Sequence, residues 1–166
     1  SSVVIEGLAA LGDVDLAASS NNWQGSTLKI ARTGSASADD SFGATGIVSF
    51  SGGNVTVNST TVVGTYTQSG GTLTITFNSN ATATYVNNVL NNLTYSNNQT
   101  TAGSLSYNSV NLTLTFNDQN SNITGGGTAG SGQDQGQGGA LSVSGTTIIN
   151  IHRLPKANAD VASVNE

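Results

Sequence analysis

The chain of 166 residues has no cysteine, no methionine and a single proline. Without cysteine it has no disulfide staple, no thiolate nucleophile and no cysteine-ligated metal. Charged residues make up 8% of it, far fewer than an ordinary globular chain carries. Four are basic, Lys29, Arg32, Arg153 and Lys156, and the formal net charge is -5. Phosphate backbones and anionic membrane surfaces are held by clustered Lys and Arg. This composition therefore argues against nucleic acid and against a membrane as partners. No apolar run is long enough to cross a bilayer, and no signal-peptide pattern is present. With no methionine even at position 1, the chain reads as a fragment or processed product. The single histidine, His152, stands beside Arg153 and Pro155 in a linker-like stretch. It has no partner set for a triad or a metal, and no serine sits in a Gly-x-Ser-x-Gly motif. The expectation is a protein that is not an enzyme.

What fills the chain is glycine (21 residues), asparagine, serine and threonine. The apolar residues fall at alternate positions in several short segments. Leu73, Ile75 and Phe77 alternate with Thr72, Thr74 and Thr76. Val110, Leu112, Leu114 and Phe116 alternate with Asn111, Thr113 and Thr115. That period of two marks half-buried strands. Leu28 and Ile30 are the inward residues of a strand over 27–32, with Trp23 expected to close one end of the core. Gly52-Gly53 and Gly70-Gly71 are hairpin signals. They set up a meander of short strands over 46–50, 54–58, 60–67 and 72–77. The stretch 33–43 reads as a loop. Residues 1–22 read as an irregular start in which Val3 and Ile5 suggest an edge strand. The final strand spans 140–151, with Leu141, Val143, Ile149 and Ile151 as its apolar members and a bulge at Gly145.

The period changes once. Val86, Val89, Leu90 and Leu93 fall at i, i+3, i+4 and i+7, one face of a short helix. Asn80 is its predicted N-cap, and Asn87, Asn88, Asn91 and Asn92 its wet face. The 122–139 stretch is Gly/Gln/Ser-rich, without periodicity. Leu154-Pro155 breaks the sheet. The division is thus one module over 1–154 and, over 155–166, a linker with the start of a next module or an assembly strand. The fold class is all-β: a two-sheet sandwich of seven to nine strands with one short helix.

Carboxylates are rare, so their positions matter. Asp13 and Asp15 form Asp-x-Asp in one loop, Asp39 and Asp40 lie in a second, and Asp118 ends a strand. Calcium takes six to eight oxygen ligands, and Asp-x-Asp offers two carboxylates with a carbonyl between them. Loop aspartates also cap turns by accepting from local N–H groups. Both roles stand open at these five positions. Asp134 reads as solvated.

Taken together, these segments resemble a known repeat. They run Asn-Trp-x-Gly-x-Thr-Leu (22–28), Ala-Asp-Asp (38–40) and Phe-Asn-x-Asn-Ala-Thr (77–82). A helix with Val-x-x-x-Leu (86–90) follows, then Leu-Thr-Tyr-Ser-Asn (93–97), Leu-Thr-Phe-Asn-Asp (114–118) and Gly-Gly-Ala-Leu (138–141). The series resembles the cadherin-like tandem repeats of giant bacterial surface and secreted adhesins, themselves similar to chondroitin sulfate proteoglycan-type repeats. The resemblance implies a cadherin-like or Ig-like sandwich in an extracellular protein, with calcium at the loops of Asp13, Asp15, Asp39, Asp40 and Asp118. It implies a structural or adhesive repeat module in cell–surface or cell–cell attachment and biofilm. Its partners would be neighbouring modules of the same polypeptide or identical subunits. The family's usual Asn-Asp-Ala-Pro linker is replaced here by His-Arg-Leu-Pro-Lys (152–156). Two further readings remain. The tail after Leu154 has strand-forming Val161 and Val164, which suits a filament subunit that adds a strand to its neighbour. Exposed Thr- and Asn-rich strand faces make glycans a further candidate partner, as in a carbohydrate-binding module.

Overall fold

The computed structural model describes residues 2–5, 9–12, 16, 22–98, 109–119 and 141–150. The expectations for Asp13, Asp15, Asp134, His152, the 122–139 loop and the 155–166 tail lie outside those residues. The described chain builds two antiparallel sheets and one helix, a β-sandwich. The larger sheet holds seven strands. They are β2 (Thr27–Arg32), β4 (Val48–Ser51), β5 (Asn54–Val57), β6 (Thr61–Ser69), β7 (Thr72–Phe77), β9 (Ser109–Asn117) and β10 (Ser142–Asn150). Its spatial order is β10-β9-β2-β7-β6-β5-β4. The smaller sheet is β1-β8-β3, from Val3–Val4, Leu93–Asn97 and Asp40–Ala44. Ten described strands exceed the seven to nine expected. The one beyond that number is β3, which lies partly in the stretch read as a loop; β1 falls where Val3 and Ile5 suggested an edge strand.

The meander follows from turn chemistry. Gly52-Gly53 and Gly70-Gly71 have positive φ at both positions, as tight two-residue hairpins require. Asn58 and Ser59, also at positive φ, turn β5 into β6. The core sits where the inward sets of both sheets meet. Leu28, Ile30, Val55, Val57, Val63, Leu73, Ile75, Leu112 and Leu93 are fully or almost fully buried. Trp23 closes one end as expected: it is buried and its ring lies 5.3 Å from Phe116, tilted by 54°, a favourable aromatic geometry.

Helix α1 (Ala83–Asn91) buries Val86, Val89 and Leu90, the predicted face. Its N-cap is Thr82, whose hydroxyl accepts from the Tyr85 N–H, and not Asn80. Asn80 is committed to the turn after β7: its N–H donates to Asn78 Oδ1 and its amide to the Val62 carbonyl. Leu93 leaves the helical face to open β8. The asparagine face is not simply wet. Asn87 takes the Leu11 N–H on Oδ1 and returns Nδ2 to the Leu11 carbonyl, so one side chain holds an early segment against the helix.

Gly145 is not a bulge. β10 pairs with β9 without a register shift from Ser142 to Asn150, and Gly145 stands opposite Leu114. β10 is the end strand of this sheet among the described residues, and Val143 on its inner face is 56% exposed. The register shift lies instead between β5 and β6, at Val55/Thr56. None of the described helices is long and apolar enough to cross a membrane.

Candidate functional site

Two poles of the sandwich matter, and β2 joins them. At one, Thr27 faces Asn117; at the other, Arg32 faces Leu112. Five residue steps at about 3.4 Å each separate the poles by roughly 17 Å.

At the Arg32 pole, β3 and β8 pair so that Asp40 stands opposite Asn97 and Phe42 opposite Tyr95. Alternation puts Asp40 and Phe42 on the inward face, where both are buried. A carboxylate placed there needs compensation, and it has four bonds. Arg32 reaches across from the other sheet with a two-pronged contact, Nε to Oδ2 at 2.9 Å and Nη2 to Oδ1 at 2.7 Å. Tyr95 donates its hydroxyl to Oδ1 at 2.7 Å and Asn97 donates Nδ2 at 2.9 Å. The Asp40 side chain is fully buried, that of Arg32 19% exposed. Burial alone would raise the Asp40 pKa. The bonds from Arg32, Tyr95 and Asn97, with the Arg32 charge, outweigh it and hold the carboxyl below its ordinary value. Burial first, and the neighbouring carboxylate second, push the Tyr95 phenol up to about 12.

Both Asp40 oxygens are engaged by donors, and the counter-charge beside them is the Arg32 guanidinium. Asp40 is a latch between the two sheets. Its neighbour Asp39 is exposed in the turn before β3. The Asp39 carbonyl accepts from Asn98 N–H at 2.7 Å, which ties that turn to the end of β8.

Asp118 lies at the opposite pole, so the structure does not bring it together with Asp39 and Asp40. It is buried, and Oδ1 accepts from the Leu141 N–H at 2.8 Å while its own N–H donates to the Leu141 carbonyl at 3.1 Å. Asp118 thus extends the β9–β10 pairing by one step, as a turn-capping aspartate does. Among the described residues no three His, Cys, Asp or Glu side chains cluster as a metal site would require.

A cleft of about 320 Å³ opens between the early segment, the helix and the inner face of β9 and β10. Leu11, Leu28, Leu90, Phe116 and Val143 are among its walls, and no carboxylate, imidazole or amine is among the described residues that line it.

Sequence reasoning missed Arg32, Tyr95 and Asn97 as members of a site. The one available signal was an arginine in a chain with four basic residues, placed eight positions before an aspartate. No protein-family model, curated protein or solved structure matches the chain.

Proposed function

We propose that the chain is a structural or adhesive module of a large secreted or surface bacterial protein, stiffened by calcium and working in attachment. The observation that carries this reading is the place of the latch. β1 begins beside Tyr95, and β10 ends beyond Arg32 at Asn150, opposite Ser109. The described chain therefore starts its first strand and finishes its last one at the same pole. A pull on those two ends would draw the three-stranded sheet away from the seven-stranded sheet. The Arg32–Asp40 pair crosses between the two sheets at that pole, where it opposes such parting.

Exposed Asp39 stands at the same pole. In this reading Asp13 and Asp15 are the calcium ligands of an Asp-x-Asp loop, and Asp39 is a separate candidate ligand at the junction with a neighbouring module. The ion would restrict one module's swing against the next, since whatever binds only the folded arrangement stabilises it. Extracellular modules of this kind hold calcium with dissociation constants of about 10⁻⁴–10⁻³ M. About 1 mM calcium, ten times a constant of 10⁻⁴ M, adds about 1.4 kcal/mol, or roughly 3–6 °C in melting temperature for a chain of this size. Thermal melts in millimolar calcium and in chelator test it. An unchanged melting temperature removes calcium from the reading.

A further inference from the structure

Sheet edges normally carry a defence against strand addition: shortness, charge, proline or a bulge. Among the described strands, three of the four edges have one. β1 has two residues and β4 four, and β3 begins with the charged Asp40. β10 has none. It is nine residues long, runs in unbroken register with β9 and has β9 as its only strand partner among the described residues. Residues 141–150 include no charge and no proline. Leu141, Val143 and Ile148 are 59%, 56% and 63% exposed.

The hydrogen-bond phase of this edge can be read from its neighbours. Leu141 bonds to Asp118, and Thr33 N–H donates to the Asn111 carbonyl on the far side of β9. In an antiparallel ladder, bonding residues alternate. The odd residues of β10 therefore face β9. The N–H and C=O groups of Ser142, Ser144, Thr146, Ile148 and Asn150 point to the open side.

We propose that β10 is the docking edge for a second copy of this chain, paired antiparallel with its own counterpart about a two-fold axis at Thr146. In that register Ser142 meets the other copy's Asn150, Ser144 meets Ile148, and Thr146 meets Thr146. All five outward-pointing residues gain bonding partners at once, and no like charges meet. The contact is isologous and closes as a dimer, joining two seven-stranded sheets into one. A second copy is preferred to a foreign strand because β10 is complementary to itself in length, bonding phase and lack of charge. The inference goes beyond the calcium reading and stands without it.

The test is the full chain in light scattering at tens of micromolar, with a pair of cysteine variants. Twice the monomer mass is expected, falling to the monomer mass in T146K/I148K; I47K, at an exposed residue elsewhere, keeps the dimer. Under mild oxidation Thr146→Cys cross-links, because bonded partners lie about 5.5 Å apart at Cα, within disulfide reach. Ser142→Cys does not, since the two copies of that residue lie eight steps apart, roughly 27 Å. If the lysine variant fails to fold, the cysteine pair decides. A monomer with no cross-link at position 146 overturns the proposal. So does a dimer unchanged by the lysines, equal cross-linking at 142 and 146, or a dimer abolished by removing residues 151–166 with no cross-link at 146.

Discussion

The Tyr95 hydroxyl and Oδ1 of Asp40 lie 2.7 Å apart, and that same oxygen receives Arg32 and Asn97. The phenol is thus a structural donor to a buried charge, fixed by its place opposite Phe42.

Stability should fall at both extremes of pH. Asp40 is held below its ordinary value when folded, so in acid the unfolded chain binds the proton first. Its contribution is complete above about pH 4 and is lost as pH falls through the lower folded value. Tyr95 is raised to about 12, so its contribution is complete below about pH 10 and is lost as pH climbs from there. Denaturant midpoints against pH should show a plateau between these limits, and Y95F should remove the tyrosine part of the alkaline fall.

Truncating the latch should separate charge loss from bond loss. Asp40→Ala leaves Arg32, Tyr95 and Asn97 facing a vacated site and should cost about 3–5 kcal/mol. Tyr95→Phe removes one bond to a charged acceptor and should cost about 2 kcal/mol. Urea unfolding of both variants gives the comparison, and equal costs would contradict the ranking.

Gly71 and Gly52 both have positive φ in tight hairpins, yet they should respond differently. A side-chain carbon at Gly52 meets nothing, whereas at Gly71 it would land on the Ser37 carbonyl. Gly52→Ala should cost about 1 kcal/mol, the strain of a left-handed residue. Gly71→Ala should add an overpacking cost, for about 3 kcal/mol or more in all. Melting of the two variants reads this directly.

Asn87 ties the early segment to the helix through both backbone groups of Leu11. Asn87→Ala should cost about 1–2 kcal/mol and speed amide hydrogen exchange at Leu11 more than at the core strands. Asn87→Asp, which turns a donor toward two carbonyls into an acceptor, should be no milder.

What the sequence made legible was whatever local chemistry specifies. Alternation gave β7 and β9, paired glycines gave the hairpins, and a four-position apolar set gave the helix. β3 stayed hidden because Asp40-Ser41-Phe42-Gly43-Ala44 has one large apolar residue and opens on a charge. That charge is tolerable inside only because Tyr95 and Asn97, 55 and 57 positions away, arrive beside it. The cap expected at Asn80 falls to Thr82 because the Val62 carbonyl, 18 positions back, takes the Asn80 amide. The donors around Asp40 and Asp118 were not legible because local spacing does not show which groups the fold will deliver.

The reading of this chain as a calcium-stiffened module is tested most directly by calorimetric titration of the full chain with calcium. The expected result is saturable binding with a dissociation constant of about 10⁻⁴ M, abolished by Asp13→Asn with Asp15→Asn and unaffected by Tyr95→Phe. Absence of saturable heat through several millimolar calcium would contradict it.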